Sequence, residues 1–489
     1  MKLTELLSCL NVESNIPTVE ITEITENSRI CHPNALFVCV EGFRVDGHRY
    51  AMSAYEKGCR AFITQKEIAL PNDAFILRVT NTRIALGDLA CHFYGHPSKQ
   101  IKVIGITGTK GKTTVACMIR KILEQNGIPC GYIGTNGIVY ADQKAATINS
   151  TPDAITLQKN LRLMADAGCQ AAVLEVSSQA LLLDRVRGMR FFGGVFTNLF
   201  LDHIGEGEHK DFEDYKHCKK RLFSEFPMET VVYNADDAHA ADLMATASAH
   251  QKVSCSMRDN GDYRAENLNP MRYDSSLGIS YSILHDHETI PCRLPLIGSY
   301  NAQNGLLAAT VAMKCFGISL QQSADALSDL EIEGRSQVIP LGCGKLAVID
   351  YAHNGESLRQ LLLHLRELHP NRLIALFGSV GERTELRRQE LGAAAATLAD
   401  LCILTSDNPG REDPQKIIDE IAETVEQFNT PYIGIVDREK AIRHSISVME
   451  QGDILVLAGK GHEAYQLIGD QKIPFSEREI LLSYQKTTV

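Results

Sequence analysis

The chemistry of this chain is concentrated in Gly105-Ile-Thr-Gly-Thr-Lys-Gly-Lys-Thr-Thr, set between a β-branched apolar run and a stretch of helical character. Glycines let such a loop bend until its backbone N–H groups face phosphate oxygens, and the following helix adds the positive end of its dipole. In this reading Gly108, Thr109, Gly111 and Thr114 line a nucleotide's phosphates, Lys112 reaches the outer ones, and the Thr113 hydroxyl helps hold Mg²⁺. A generic phosphate loop has a glycine five positions before Gly111, where this chain has Ile106. The variant Thr-Gly-Thr-x-Gly-Lys-Thr is satisfied in full from Thr107 to Thr113. Further on, Leu174-Glu-Val-Ser-Ser-Gln sets Glu175 at the end of another apolar run. In a doubly wound sheet that position lies beside the phosphate loop, and a carboxylate there is a natural Mg²⁺ ligand.

Those residues need a scaffold. At 489 residues the chain exceeds what one core can bury, and its length suggests about three domains. Residues 1–97 read as a small α/β unit, with strands at Asn34-Ala-Leu-Phe-Val-Cys-Val-Glu-Gly and Cys59-Arg-Ala-Phe-Ile-Thr and a helix from His48 to Lys57. Residues 98–330 alternate helices with the strands Val103-Ile-Gly-Ile, Ala172-Val-Leu-Glu-Val, Gly194-Val-Phe-Thr-Asn and Val231-Val-Tyr-Asn. Such continuous apolar runs suit a parallel sheet covered on both faces. A polar, turn-rich segment from about Asp259 to Pro295 reads as a β-rich insertion. Residues 331–489 carry Leu346-Ala-Val-Ile-Asp, Leu373-Ile-Ala-Leu-Phe, Leu401-Cys-Ile-Leu-Thr, Tyr432-Ile-Gly-Ile-Val and Ile454-Leu-Val-Leu-Ala, again separated by helical stretches. The expected fold is α/β in three domains: a small N-terminal unit, a central doubly wound phosphate-loop domain and a C-terminal Rossmann-like domain.

Bulk properties narrow the function. The chain is 44% apolar and 22% charged, with a mean hydropathy of −0.11. No apolar run approaches the roughly 20 residues that span a bilayer. The opening Met1-Lys-Leu-Thr-Glu-Leu-Leu-Ser reads as a helix and not as a signal peptide, so a cytoplasmic location is expected, without membrane insertion. The 14 cysteines contain no Cys-x-x-Cys pair, and Cys39, Cys117 and Cys402 sit in apolar stretches as buried small hydrophobes would. A net charge of −11 argues against nucleic acid as the main partner.

The variant phosphate loop resembles that of the Mur ligases and their relatives, the folylpolyglutamate and cyanophycin synthetases. From about Ser28 to Glu463 the chain is similar to one branch, the UDP-N-acetylmuramoyl-tripeptide synthetases. The resemblance implies that Glu175 and His203, the latter in Phe196-Thr-Asn-Leu-Phe-Leu-Asp-His, are metal ligands. It also implies that Lys219 carries a carbamate that serves a second Mg²⁺ and, with Lys112 and His203, belongs to the catalytic set. Gly205-Glu-Gly-Glu departs from the family's acidic-aromatic-His run, and a solvated basic helix face over Lys216, Lys219, Lys220 and Arg221 is the competing reading. In Gly298-Ser-Tyr-Asn-Ala-Gln-Asn-Gly the implied adenine contact is Asn304, while Arg335 meets phosphate and Asp350 the ribose. Residues 1–97 become the receptor of a uridine nucleotide through Ser28, with Ser150, Thr151, Ser177 and Arg185 on the muramoyl arm.

The same resemblance makes 331–489 the amino-acid-binding domain, using Asp407-Asn-Pro-Gly-Arg-Glu-Asp-Pro and Gly459-Lys-Gly-His-Glu with Arg388. The implied contacts are Arg388, Asp407, Asn408, Arg411, Gly459 and Glu463. The diaminopimelate form of the family has arginine where this chain has Gly410, with Arg411 one place later, so lysine and diaminopimelate both stand. The implied reaction is ATP- and Mg²⁺-dependent joining of a diamino acid to UDP-N-acetylmuramoyl-L-alanyl-D-glutamate, by a monomer. The alternative is a related ligase on another carboxylate, similar to folylpolyglutamate synthetase; Ser28 and Asn149-Ser-Thr-Pro tell against it.

Overall fold

A computed structural model describes residues 1–10, 16–42, 45–202, 204–205, 208–258, 260–273, 275–382 and 385–487. His203 lies outside the described residues. The chain divides into two compact units, one of residues 1–256, 260–262 and 307–319, the other of residues 257–259, 263–306 and 320–489.

The first unit holds two sheets. The N-terminal sheet is parallel, in the order Glu23–Thr25, Ala35–Val38, Ala61–Thr64, Phe75–Arg78. The larger one runs Ala249–Ser256, Met228–Asn234, Gly193–Phe196, Lys102–Thr107, Ala171–Glu175, Cys130–Gly134, parallel throughout. It ends in the antiparallel strands Gly137–Tyr140 and Gln143–Ala145. Every residue of Ala171–Glu175 and of Gly193–Phe196 is buried, as a sheet covered on both faces requires. The expected helix from His48 begins instead as a tight turn, Gly47–Tyr50, and becomes α-helical over Ala51–Glu56. Asp46 caps that turn by accepting from the His48 N–H.

In the second unit the β-rich insertion is an antiparallel meander, Tyr263–Arg272, Leu277–His285 and Glu288–Leu294. The C-terminal sheet runs Gln337–Gly342, Lys345–Asp350, Ile454–Ala458, Leu373–Phe377, Leu401–Leu404, Tyr432–Gly434. All but the first strand are parallel. Its helices, among them Gly355–Arg366 and Pro414–Glu426, bury leucine and isoleucine against both faces. Among the described residues no helix is long and apolar enough to cross a membrane. Cys39 and Cys402 are buried as expected, while Cys117 is half-exposed on its helix.

Candidate functional site

The phosphate loop follows Lys102–Thr107 and leads into the helix Lys112–Gln125. Gly108 is held at φ +149, and a Cβ there would lie 1.9 Å from Thr197 Oγ1. Gly111, at φ +86, is the residue from which the helix starts. Space excludes a side chain at Gly108 and the left-handed φ disfavours one at Gly111, which leaves the loop backbone uncovered. The loop is pinned by the neighbouring strand end: Thr109 N–H donates to Asn198 O at 2.9 Å, and Lys110 N–H donates to Asn198 Oδ1 at 2.8 Å. Lys112 Nζ donates to the Gly108 and Thr109 carbonyls, and Thr113 and Thr114 are buried in the first helical turn.

Lys219 comes to the same carbonyl. It lies on the helix Phe212–Ser224, which Asp211 caps and which opens with Glu213 and Asp214. Tyr215, Cys218, Lys219, Leu222 and Phe223 form its buried face, a spacing of i, i+3, i+4, i+7, i+8. Lys216 and Lys220 occupy the other side, both paired with Asp242. The basic run is therefore split by the helical period: part is the solvated face, and Lys219 is inside. Its side chain is 1% exposed, donates to Gly108 O at 2.8 Å and sits 4.6 Å from the Tyr215 ring centre. Burial, reinforced by the nearby Lys112 charge, holds the Lys219 amine well below the usual lysine range.

Glu175 pairs in register with Ile106, just before the loop. It is fully buried and accepts from Tyr132 Oη at 2.6 Å, Thr135 N–H at 3.0 Å and Thr135 Oγ1 at 3.0 Å. Burial, followed by the Glu175 charge, pushes the Tyr132 phenol up, which keeps it a donor. On the other side of that strand end, Thr151 Oγ1 donates to the Glu175 carbonyl at 2.8 Å, and Ser177 N–H donates back to Thr151 Oγ1 at 3.0 Å. Arg185 Nη1 donates to Thr151 O at 2.8 Å. Glu175, Thr151, Ser177 and Arg185 thus form one contiguous cluster beside the half-exposed Ser150. Ser28 is buried in the turn Ser28–Ile30, two residues from Glu26. Burial raises the Glu26 carboxyl, with Asp153 adding and Arg83 and Arg185 opposing, so Glu26 belongs to the same neighbourhood.

In the second unit, Asn304 is buried on the helix Tyr300–Phe316 and donates to Asn301 Oδ1 at 3.0 Å. Asp350 ends its strand and accepts from Ser336 N–H at 2.7 Å and Ala352 N–H at 2.9 Å. Burial raises its carboxyl, against the lowering effect of Arg335. The Arg335 guanidinium lies 4.9 Å from the Tyr351 ring, and its Nε is buried without a hydrogen-bond partner among the described residues.

Asp407 and Asn408 follow the strand Leu401–Leu404, and Gly459 follows Ile454–Ala458. Asn408 Nδ2 donates to Glu463 Oε2 at 2.8 Å, joining the two motifs. Two arginines stand apart from this junction. Arg388 is 2% exposed and engaged with Glu412, at 2.6 and 2.9 Å, and with Glu420. Arg411 is exposed and makes a two-pronged pair with Asp470 at 2.7 and 3.0 Å. Gly410 has φ +59, and a Cβ there would have only the Glu382 carboxylate near it, at 4.0 Å.

Three site neighbours went unnoticed in the sequence. His209 is fully buried, bonded to Ser178 Oγ at 2.9 Å and Asp214 at 3.0 Å, and it ties the strand-end loop to the helix of Lys219. A histidine six residues after His203 and five before an aspartate was its only signal. Tyr132 carried none, lying in a short run unlike the other strands. Lys460 stands inside a motif that was singled out, yet is named in no contact.

Three family models match in chain order: Mur ligase family, catalytic domain over residues 20–94; Mur ligase middle domain over 106–312; and Mur ligase, glutamate ligase domain over 334–461. The chain is 35% identical over 482 residues to the UDP-N-acetylmuramoyl-L-alanyl-D-glutamate–2,6-diaminopimelate ligase of Caldanaerobacter subterraneus subsp. tengcongensis, covering 98% of each. It is 36% identical to the ligase of the same name from Clostridium botulinum, covering 94% of each. A solved structure of a UDP-N-acetylmuramoyl-L-alanyl-D-glutamate–2,6-diaminopimelate ligase superposes with a TM-score of 0.72 at 28% identity, covering 100% of this chain and 99% of the other. Folylpolyglutamate synthase of Mycobacterium tuberculosis, complexed with ADP, shares the fold at 16% identity, covering 77% of this chain and 91% of the other, with a TM-score of 0.61.

Proposed function

The chain belongs to the Mur ligase family and is an ATP-dependent amide-bond-forming ligase, and on that premise we propose that it joins a free diamino acid to the D-glutamyl carboxylate of UDP-N-acetylmuramoyl-L-alanyl-D-glutamate. One observation carries this reading: the Thr151–Ser177–Arg185 cluster is a single hydrogen bond from Glu175, at the mouth of the phosphate loop. An acceptor held by that cluster would lie at the end of the strand that pairs with the one leading into the phosphate loop.

A D-glutamyl carboxylate oxygen attacks the γ-phosphorus, the bond to ADP breaks, and an acyl phosphate forms. The neutral amine of the diamino acid then attacks the acyl carbon, inorganic phosphate leaves with the C–O electron pair, and the nitrogen loses a proton. Positioning and charge neutralisation do the catalytic work, and no covalent protein nucleophile is needed. Lys112 meets the outer phosphates; Gly108, Thr109, Gly111 and Thr114 line the rest. Asn304 reads the adenine, Arg335 a phosphate and Asp350 the ribose. Ser28 and Ser150 extend the acceptor surface toward the uridine nucleotide.

Mg²⁺ suits the donors present. Glu175 and Thr113 are hard oxygen ligands, and three hydrogen bonds hold the Glu175 carboxylate rigid. Bound there, Mg²⁺ supplies charge neutralisation for the transferring phosphoryl group. Lys219, held toward its neutral form, is suited to attack CO₂ through its nitrogen, giving a carbamate and releasing one proton. That turns an amine into a further anionic oxygen donor.

Asp407, Asn408, Gly459 and Glu463 receive the diamino acid. Two lines bear on which one. The relatives' names favour diaminopimelate, whereas Gly410, where the diaminopimelate form has arginine, and the engagement of buried Arg388 with two glutamates favour lysine. The test is incubation of the full chain with ATP, Mg²⁺ and UDP-N-acetylmuramoyl-L-alanyl-D-glutamate plus lysine and diaminopimelate in competition, read by mass. The expected product is heavier than the acceptor by one diamino acid less water, with one ADP per bond. ATP turnover without that product, or product from a folate-type acceptor, would sink the reading.

A further inference from the structure

Lys460, in the Gly459-Lys-Gly-His-Glu motif, makes three contacts to side chains assigned to the amino-acid site. Its side chain is fully buried and its Nζ reaches Asn408 Oδ1 at 3.0 Å, Glu463 Oε2 at 3.2 Å and Asp407 Oδ1 at 3.5 Å. Two flanking glycines make the burial sterically feasible. Gly459 has φ +111 and a Cβ there would lie 2.6 Å from Asp407 Oδ2; Gly461 has φ +54 and a Cβ there would lie 2.9 Å from Gly334 O. The chain doubles back between them, and Glu463 N–H closes the turn on Lys460 O at 3.0 Å.

The consequence concerns Glu463. Its Oε2 is occupied twice, by Lys460 and by Asn408, while Oε1 accepts no hydrogen bond among the described residues. Asn408 is fixed in turn, its Oδ1 accepting from Lys460 and from Leu467 N–H at 2.9 Å. By formal charge, two carboxylates and one lysine ammonium leave this cluster with a single net negative charge, the complement of one substrate ammonium. We propose that Lys460 is a positioning residue for the diamino acid, locking Asn408 and Glu463 so that Glu463 Oε1 alone faces the ammonium of the incoming substrate. This rests on the assignment of Glu463 to the amino-acid site.

Steady-state kinetics on the full chain test it, with each of the three substrates varied in turn, for Lys460→Met, Glu463→Gln and the double variant. A charged hydrogen bond is worth about ten- to a hundredfold in affinity. Each single variant is expected to raise the KM for the diamino acid by about tenfold or more. The KM values for ATP and the UDP precursor should stay near wild type. The double variant should be no worse than Glu463→Gln, because Lys460 acts through Glu463. Should Lys460→Met fail to fold, Lys460→Gln, which keeps a donor to Asn408 and loses the charge, enters the same cycle. Additive effects, or equal rises in all three KM values, or an unchanged KM in the Lys460 variants, overturn the proposal. A Glu463→Gln variant with normal diamino-acid KM overturns instead the assignment of the site, a separate result.

Discussion

Two buried lysines, one in each unit, are treated in opposite ways. Lys219 is 1% exposed and Lys460 0%. Lys460 is met by Asp407 and Glu463, whereas Lys219 has a carbonyl, an aromatic ring and no hydrogen-bonded carboxylate among the described residues. Burial with no carboxylate hydrogen-bonded to it, the Asp202 charge opposing only in part, drives the Lys219 amine toward its neutral form; burial between carboxylates makes a lysine part of the framework. The same residue type thus meets opposite surroundings, and the neighbours decide whether burial neutralises it or builds it into the framework. A third lysine, Lys112, donates to the Gly108 and Thr109 carbonyls of the phosphate loop.

The largest expected effect falls on that third lysine. Lys112→Ala should cut ADP formation by about a thousandfold, the upper scale for loss of one transition-state charge contact. Binding of the UDP precursor, followed by calorimetry, should persist; its loss would mean that the acceptor cluster is not separable from the phosphate corner. Next comes Lys219→Ala, expected to lower turnover about a hundredfold and to recover part of it with added acetate or formate. Lys220→Ala should remain healthy, since Lys220 pairs with Asp242 on the outer face. A dead Lys220 variant beside a healthy Lys219 variant would reverse the assignment.

A smaller effect sharpens the comparison through pH. Between its lowered folded-state value and the unfolded value near 10.4, Lys219 binds fewer protons folded than unfolded, so stability rises with pH across that window. Lys219→Met removes this contribution. In CO₂-free buffer without nucleotide, the Tm advantage of Lys219→Met over wild type should be largest near neutrality and shrink toward pH 10. A pH-independent difference would show that the amine is not depressed. The smallest effect belongs to Arg411→Ala. Its pair with Asp470 is solvent-exposed, so selectivity between lysine and diaminopimelate should not move in a competition assay. A shift away from diaminopimelate would bring Arg411 into the site.

Long buried strands were readable because their apolar, β-branched runs leave no other use: Ala171–Glu175, Leu373–Phe377 and Ile454–Ala458 fall where expected. Short, polar strands were not. Gln143–Ala145 and Gln471–Pro474 are wholly exposed, and polar residues there carry no period for a reader to find. At the site, glycine and lysine spacing located the phosphate loop, and helical period separates Lys219 from Lys220 once Tyr215, Cys218 and Leu222 are taken as the buried face. Pairings made across long sequence separations stayed hidden. Nothing near Glu175 announces Tyr132, 43 positions away, as its donor, and nothing near Arg388 announces Glu412 and Glu420. The prominence of Arg388 among the candidate residues therefore overstated how open it is.

Transfer of a carboxylate oxygen tests the central claim most directly. The acceptor UDP-N-acetylmuramoyl-L-alanyl-D-glutamate is prepared with ¹⁸O in its D-glutamyl carboxylates and turned over with ATP, Mg²⁺ and a diamino acid. If the reaction runs through an acyl phosphate, each inorganic phosphate released carries one ¹⁸O and the amide product has lost one. Phosphate free of label, with product still formed, would contradict the account.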